Sequence, residues 1–213
     1  MNIDFSAAKW LNQPKLSEIT DQSVKITTEP NTDLWQRSYY GFRHDNAHAL
    51  LFESEINFSF TTKVSFEYRA RFEQCGLIIY LDIDNWFKAS IEYENENISR
   101  LGSVVTNNGY SDWATTDIPT TTAMWYRLSR RGPDFLIESS LNGMGFKQMR
   151  IFHLHCIGKT SAEMGKLNPP APAERPIQFG LYACSPLNSS FEARFNNFKL
   201  DNCLWMAHGT ELE

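Results

Sequence analysis

The sequence predicts an all-β protein in which two antiparallel sheets pack face to face as one sandwich, with little helix. Apolar and polar residues alternate with a period of two along many segments, helical periodicity is nearly absent, and turn residues separate the segments. Many short strands of this kind pack most simply as two sheets. The 213 residues fit one such domain, because all-β domains reach about 200 to 250 residues. We therefore expect a single domain over residues 1–213.

The alternation predicts a series of strands in chain order. They are residues 24–28, 49–53, 63–72, 75–81, 86–93, 101–106, 124–130, 135–141, 147–154, 177–184 and 191–200. Residues 63–72 alternate cleanly, which predicts a strand that packs on one side only. Asn142 and Gly143 follow residues 135–141 and predict a tight hairpin turn.

Three segments depart from simple alternation. Residues 75–81 are apolar at both odd and even positions, so we expect a central strand that a long loop or the N-terminal segment covers on its second face. Residues 35–49 are too polar and aromatic for a buried strand and too long for a hairpin turn. Residues 156–176 are rich in proline and predict a surface loop, with one or two helical turns at residues 161–167.

The segment 86–93 carries two contrasting faces, because strand side chains alternate between the two sides of a sheet. One face bears the apolar side chains of Phe87, Ala89, Ile91 and Tyr93. The other bears an indole, an ammonium, a hydroxyl and a carboxylate, from Trp86, Lys88, Ser90 and Glu92. We expect the first face in the core and the second in a site for a sugar or another polar ligand.

Charge and composition exclude several partners and cofactors. A net charge of −5 and an isoelectric point near 5.6 argue against nucleic acid. The start of the chain lacks a basic and apolar leader, and no later run reaches the roughly 18 apolar residues of a membrane helix, so we expect a cytoplasmic protein that binds no membrane. The cysteines show no CxxC pair, which favours reduced, packed thiols over zinc. We expect no cofactor and no metal.

Several motifs together resemble a known family. They are the segments 34–48, 76–78, 85–93, 103–106, 111–113, 125–132 and 180–186. In order and spacing these are similar to the uncharacterised family related to the yeast regulation-of-enolase protein, over nearly the whole chain. The resemblance implies a concanavalin A-like sandwich with no agreed activity, and residues 157–174 are longer than is usual there. Sandwiches of this type include binding proteins and hydrolases, so the fold alone does not assign a function.

An acidic triplet allows an alternative function. Glu92, Glu94 and Glu96 alternate, and residues two apart on a strand lie about 6.8 Å apart on one face. That spacing is compatible with the roughly 5 to 5.5 Å between the carboxyl groups of retaining glycoside hydrolases. Residues 94–97 equally fit a solvated turn, and the glucanase pattern has Asp where Glu94 stands. Glu92 also fits a structural partner of Lys88 or a hydrogen-bond acceptor for a ligand.

The histidines and aromatic residues each allow two interpretations. His44 and His48 have a metal-ligand spacing if the segment is helical, but Gly41, Asp45 and Asn46 favour a turn whose polar groups converge over the sheet. The aromatic candidates either stack on a sugar ring or pack in the core. They are Tyr40, Tyr80, Trp86 and Trp113. Asp112 either binds a hydroxyl or caps a turn.

The leading hypothesis is a non-catalytic ligand-binding or regulatory sandwich that holds a carbohydrate or related polar metabolite on one sheet face. Its predicted floor is Tyr80, Trp86, Lys88 and Glu92. Its predicted walls are Tyr40, His44, Asn46, His48, Asp112 and Trp113. The alternatives are a retaining glycoside hydrolase using Glu92 with Glu94 or Glu96, and a protein-binding regulator of a glycolytic enzyme that uses an exposed apolar patch.

Overall fold

The structure is a computed structural model that describes residues 3–208. Its strands, β1 to β16 in chain order, are Lys9–Leu11, Leu16–Ile19, Ser23–Thr27, Leu34–Gln36, Arg43–Asp45, His48–Ser54, Ser59–Phe66, Gln74–Asp82, Asn85–Tyr93, Ile98–Asn107, Tyr110–Pro119, Ala123–Arg131, Asp134–Ser140, Lys147–His153, Ile177–Cys184 and Glu192–Asp201. Helix within the described range is limited to a 3-10 turn at Phe5–Ala7 and to α1 at Ala162–Gly165. The single domain over residues 1–213 stays a prediction, and residues 1–2 and 209–213 lie outside the described residues.

The strands form two seven-stranded antiparallel sheets. The first sheet has the order β1-β6-β15-β8-β9-β10-β11, and the second has the order β14-β13-β12-β7-β16-β3-β2. Strands β4 and β5 pair only with each other as a small ribbon. The predicted all-β, two-sheet antiparallel sandwich with little helix is therefore confirmed. Its closer assignment to the concanavalin A-like class stays a prediction.

The main core lies between the two sheets. Phe87, Ala89 and Ile91 of β9 point into it and are fully buried, which confirms the predicted inner face of this strand. Phe87 stacks on Phe152 of β14 in the opposite sheet, with ring centroids 3.8 Å apart. Burying side chains of this size stabilises a fold by about 1.5 to 3 kcal/mol each, so this layer holds the sheets together.

A second apolar cluster lies on the outer face of the first sheet. There Ile78 of β8 and Trp86 of β9 pack against Leu34 and Trp35, which belong to residues 32–47. We call residues 32–47 the covering segment. The predicted central strand with two covered faces is thus confirmed as β8, and a long loop supplies the second cover.

The structure corrects several predicted boundaries. The strand predicted over residues 63–72 ends at Phe66, because the Glu73 carboxylate accepts the backbone N–H groups of Arg69 and Ala70 at 2.5 and 3.1 Å and folds the chain into a turn. The predicted irregular segment 35–49 contains the ribbon strands and the start of β6. The short helix α1 falls inside the predicted helical residues 161–167.

Sequence alternation missed several edge and ribbon strands. The longest is β11, an edge strand of the first sheet whose side chains are mostly exposed. When both faces of an edge strand are exposed to solvent, polar residues occur at odd and even positions alike. Such a strand shows no period-two alternation and is not recognised from it. None of the helices within residues 3–208 is long and apolar enough to cross a bilayer.

Two tryptophans of the first sheet, on the strands that flank β10, should respond very differently to truncation. Trp86 is 0% exposed beneath the covering segment, whereas Trp113 of β11 is 40% exposed. We expect Trp86→Ala to lower the free energy of unfolding by about 3 to 5 kcal/mol, because it leaves a large cavity. Trp113→Ala, the matched control, should cost about 1 kcal/mol or less. Urea unfolding followed by circular dichroism measures both, and equal losses would contradict the buried position of Trp86.

Candidate functional site

A cavity of about 480 Å³ lies between the covering segment and the outer face of the first sheet. Its polar floor is formed by Lys88, Ser90 and Glu92 of β9, by Gln74 of β8 and by Asp33 of the covering segment. The predicted polar face of β9 is therefore the face on which the cavity opens. The covering segment makes the cavity deep, because it stands over part of that face.

Strand register brings the floor residues together. Gln74 of β8 and Arg100 of β10 both lie directly opposite Glu92 of β9. Directly opposite residues on antiparallel strands have Cβ atoms about 4.5 to 5.5 Å apart and side chains on the same face. Glu92 is therefore flanked by an amide on one side and a guanidinium on the other.

The centre of the floor is a buried ion pair between Lys88 and Asp33. The Lys88 Nζ lies 3.0 Å from Asp33 Oδ1 and 3.0 Å from the hydroxyl oxygen of Tyr182. Lys88 is 4% exposed. Burial, the largest single influence, lowers the pKa of this ammonium, but Asp33 together with Cys184 and Glu92 outweighs burial, and the pKa is raised. Lys88 is consequently charged at neutral pH.

This ion pair keeps bonding capacity for a ligand. An ammonium group has three N–H donors, and the hydrogen bonds to Asp33 and Tyr182 use two of them. Asp33 Oδ1 also accepts the Leu34 N–H at 2.7 Å, whereas Oδ2 has no hydrogen-bond partner among residues 3–208. These hydrogen bonds therefore leave one N–H donor of Lys88 and one carboxylate oxygen of Asp33 unused, and both residues line the cavity.

A hydrogen-bond network extends from the ion pair to Glu92. The Tyr182 hydroxyl donates to Gln74 Oε1 at 3.0 Å, and Ser90 Oγ donates to the same oxygen at 3.1 Å. The Gln74 Nε2 then donates to Glu92 Oε2 at 3.0 Å. The network holds the Gln74 amide in one orientation and fixes the Glu92 carboxyl at the cavity surface.

Burial changes the acidity of Glu92. It raises the pKa of this carboxyl to about 7, and the nearby negative charges of Asp33 and Glu94 add to the rise, while Lys88 and Arg100 oppose it. Near neutral pH the group is divided between an acid that donates a hydrogen bond and a carboxylate that accepts one. A ligand hydroxyl can use either form.

Aromatic side chains form the wall above the floor. The Tyr40 ring stacks on Phe42 with centroids 5.1 Å apart, and it meets Trp35 edge to face at 5.5 Å. Phe42 in turn contacts the His44 ring at 4.8 Å. All four side chains come from the covering segment and line the cavity. Trp113 lines the cavity from β11, so apolar faces flank the polar floor.

The tip of the covering segment is held in an uncommon conformation. Arg37 and Tyr39 have positive φ angles of 55° and 61°, a conformation that non-glycine residues rarely adopt. The Arg37 N–H donates to Phe42 O at 2.9 Å, and its guanidinium donates to Gly109 O at 2.7 Å. These contacts hold the aromatic wall over the sheet.

The structure brings part of the predicted site together in this cavity. The predicted residues that line it are Tyr40, His44, Lys88, Glu92 and Trp113. Their position is compatible with the predicted role in binding, which stays a prediction. The other predicted residues lie outside the cavity lining, and each has a structural explanation.

Two of these residues are buried and bonded within the fold. Trp86 lies beneath the cavity with its Nε1 donating to Ile83 O at 3.2 Å, so its ring offers no surface to a ligand. His48 is buried, with Nε2 accepting the Glu29 N–H at 3.1 Å and Nδ1 lying 2.6 Å from Asn12 O. The structure therefore corrects two predictions: Trp86 is not part of the cavity floor, and His48 is not part of the cavity wall.

Asn46, Tyr80 and Asp112 also lie apart from the cavity. Asn46 closes the base of the ribbon, since its Oδ1 accepts the Asp33 N–H at 2.9 Å. Tyr80 is half-buried against the second apolar cluster. The exposed Asp112 pairs with Arg150 at 2.6 Å, on the side of β11 away from the cavity. These side chains contribute to the fold around the site rather than to its surface.

The structure does not assemble the alternative carboxylate set. Strand β9 ends at Tyr93, so Glu94 and Glu96 belong to the turn and neither lines the cavity. Glu94 is paired with two arginines, and Glu96 is exposed to solvent. Of the three glutamates, Glu92 alone faces the site.

Sequence reasoning missed several cavity residues. They are Asp33, Trp35, Phe42, Arg71, Phe72, Gln74 and Arg100. Asp33 lies far from β9 in sequence, and only the tertiary path of the covering segment brings it to Lys88. Gln74 and Arg100 are brought to the site by strand register, which places them opposite Glu92 and which alternation alone does not give. Among residues 3–208, no group of three or more His, Cys, Asp or Glu side chains is arranged to hold a metal ion.

Comparisons with known proteins agree on the fold. A family profile described as "Protein of unknown function (DUF1349)" matches residues 10–203. The Saccharomyces cerevisiae protein named "Regulation of enolase protein 1" is 35% identical over 114 residues, which are 54% of this chain and 57% of the yeast protein. The match thus spans little more than half of that relative.

Solved structures extend the comparison. A functionally unknown protein from Saccharomyces cerevisiae is 26% identical with a TM-score of 0.79, covering 95% of this chain and 100% of its own. The GH43 BlXynB protein from Bacillus licheniformis is 14% identical with a TM-score of 0.67, covering 94% of this chain and 38% of its own. The carbohydrate binding module CBM66 from Bacillus subtilis is 10% identical with a TM-score of 0.50, covering 91% and 95%. The last two establish a shared fold only.

The raised pKa of Glu92 makes a testable contribution to stability. A carboxyl whose pKa rises from 4.5 to about 7 on folding stabilises the fold fully below pH 4.5, and this contribution is lost as the pH rises through 7. Glu92→Gln removes the titration. Between pH 4.5 and 7 the stability of this variant relative to wild type should therefore rise, by about 3 kcal/mol at most.

Urea unfolding at pH 5, 6, 7 and 8 measures this difference directly. Glu96→Gln is the matched control, because it makes the same chemical change in an exposed turn. A wild-type to Glu92→Gln difference that stays constant over this pH range would show that Glu92 is not perturbed by its position.

Proposed function

The chain belongs to the DUF1349 family of proteins of unknown function, and we propose that it is a non-catalytic binding protein for a carbohydrate or a related polar metabolite. The ligand enters the cavity under the covering segment. The observation that carries this proposal is the Lys88–Asp33 pair, which keeps one N–H donor and one carboxylate oxygen free on the cavity floor.

A sugar hydroxyl matches this pair chemically. Its oxygen accepts the free N–H of Lys88 while its proton is donated to Asp33 Oδ2, so one hydroxyl uses both free groups. Hydrogen bonds to charged groups contribute about 1.5 to 3 kcal/mol each. The two charges already neutralise each other in the unliganded fold, which limits the cost of excluding water when the ligand enters.

The rest of the cavity supports the same ligand class. Tyr40 and Trp113 offer ring faces and edges on which the apolar C–H side of a sugar ring can pack. Glu92 and Gln74 add polar groups in fixed positions for further hydroxyls. The volume of about 480 Å³ lies within the range of about 300 to 1,000 Å³ that is usual for small-molecule sites.

The position of the carboxyl groups favours binding over catalysis. Hydrolysis with retention needs two carboxyl groups flanking the bond that is cleaved. Glu94 is held by Arg71 and Arg100, and Glu96 is in solvent, so Glu92 has neither of these as a partner in the cavity. The similarity of fold to a carbohydrate binding module supports the binding alternative at the level of architecture.

Binding should depend on the aromatic wall. Thermal-shift screening against neutral hexoses, pentoses and their phosphates should find at least one compound that raises the melting temperature, because a ligand at 100 times its dissociation constant stabilises by about 2.7 kcal/mol. Trp113→Ala should then weaken that compound about tenfold in calorimetry. Tyr110→Ala, on the same strand but outside the cavity lining, should leave its affinity unchanged.

Two results would contradict this proposal. One is a wild-type protein that responds to no sugar or sugar phosphate in the panel. The other is an equal loss of affinity in Trp113→Ala and Tyr110→Ala, which would place the ligand outside the cavity.

A regulator of a glycolytic enzyme is the second candidate, and the exposed aromatic tip of the covering segment favours it. Tyr39 is 97% exposed there, and Phe42 is 42% exposed. The name of the yeast relative makes enolase the partner to test. If this function holds, purified enolase should bind wild type in sedimentation experiments and lose most of its affinity for Tyr39→Ser. Absence of a complex at micromolar concentrations would remove this candidate.

A further inference from the structure

We propose that the ligand carries an anionic substituent, a carboxylate or a phosphate, which binds between Arg71 and Arg100 at the Glu92 end of the cavity. This inference rests on the proposed function and narrows its ligand class to acidic sugars or sugar phosphates. Both arginines line the cavity. They lie at the opposite end of the polar floor from Lys88, because Arg100 faces Glu92 across the sheet.

The two arginines share one carboxylate. Arg71 Nη2 lies 2.5 Å from Glu94 Oε1, and Arg100 Nη2 lies 3.2 Å from Glu94 Oε2. Arg100 also has Asp117 at 4.0 Å, but the Asp117 side chain is 65% exposed and the contact is at the limit of an ion pair. Two guanidinium groups with one close counter-ion leave positive charge at this end of the cavity.

The arginine side chains are accessible and have donors to spare. Their side chains are 51% exposed for Arg71 and 27% exposed for Arg100. Each guanidinium has five N–H donors, and the ion pairs to Glu94 and Asp117 engage only a minority of them. Paired N–H groups of this type match the oxygen spacing of a carboxylate or phosphate.

Aromatic rings hold the arginines in place before a ligand arrives. The Arg71 guanidinium lies over the Phe72 ring at 4.5 Å, and the Arg100 guanidinium lies 5.9 Å from the Trp113 ring. Phe72 and Trp113 line the same cavity. A guanidinium already ordered on an aromatic face loses less conformational freedom on binding.

The remaining charges fit an anion at this end rather than at the other. At the Lys88 end the ammonium is matched by Asp33, so no net charge is left there. Near the arginines the facing acidic groups are Glu94, which is already shared, and Glu92, whose pKa is raised to about 7 by burial. At pH 6 Glu92 is mostly neutral and repels an incoming anion little, so this pH suits the test.

Calorimetry at pH 6 with matched sugar sets tests the inference. The probes are glucose, glucuronate and glucose 6-phosphate, the corresponding galactose compounds, and inorganic phosphate alone. We expect an acidic member to bind wild type about tenfold more tightly than its neutral parent, since it adds a hydrogen bond to a charged group. Comparing the affinities of the uronates with those of the sugar 6-phosphates shows whether a carboxylate or a phosphate is preferred.

Variants locate the effect. Arg100→Gln and Arg71→Gln should each reduce the advantage of the acidic sugar severalfold and leave the neutral parent unchanged, while Arg100→Lys should keep part of it. Arg150→Gln is the matched control, because it makes the same charge change at the Asp112 pair outside the cavity. Circular dichroism and thermal unfolding verify that each variant is folded.

Three outcomes overturn the inference alone. They are neutral parents that bind as tightly as the acidic sugars, arginine variants that weaken both equally, and inorganic phosphate that binds as tightly as a sugar phosphate. If no sugar of either kind binds wild type, the proposed function itself fails and the inference falls with it.

Discussion

The ion pair between Lys88 and Asp33 is the interaction on which the site depends. Lys88 stands on the outer face of a sheet, under a segment that excludes water, and a buried ammonium there requires a counter-ion. The covering segment supplies it, with the N–H of Leu34 bonded to the same carboxylate oxygen. Leu34 itself packs in the apolar cluster on the sheet, and the Asp33 carbonyl accepts the Asn46 N–H at 3.1 Å. Asp33 thus links three interactions, namely the ion pair with Lys88, the apolar packing of its neighbour Leu34 and the hydrogen bond from Asn46 that closes the ribbon. Together they fix the distance between the covering segment and the sheet.

Polar side chains that make all their hydrogen bonds within the fold have a structural role, whereas those with an unused donor or acceptor remain available to a ligand. His48 and Asn46 use their side-chain atoms on backbone groups of the fold. Lys88 is about as buried as His48, with 4% and 3% exposure, and Asp33 is partly buried, yet Lys88 and Asp33 each keep a hydrogen-bonding group that the fold does not use. Residue type cannot make this distinction, because an imidazole or an amide in a polar loop fits either role until its partners are known.

The sequence predicted what depends on local alternation, namely the sandwich, most strands and the outward face of β9. It could not predict the partners of that face, because they depend on register. A shift in pairing between Tyr80 and Asp82 sets Gln74 opposite Glu92, whereas uninterrupted pairing from the turn would set it opposite Tyr93 and reverse its face. Trp86 and Trp113 show a further limit, since alternation gives the face of Trp86 but not its depth, and it does not reveal β11, the strand that carries Trp113.

The environments of the carboxyl groups in the cavity bear on the proposed non-catalytic function. Glu92 and Asp33 differ in environment, a contrast that acid and base catalysts also use. A nucleophile or base, however, needs a carboxylate whose charge is available to the substrate. Asp33 already shares its charge with the Lys88 ammonium and a backbone N–H, so a hydroxyl that reaches its free oxygen is held between opposite charges rather than deprotonated. Under the proposed function, this arrangement would stabilise a bound hydroxyl and supply little driving force for bond cleavage.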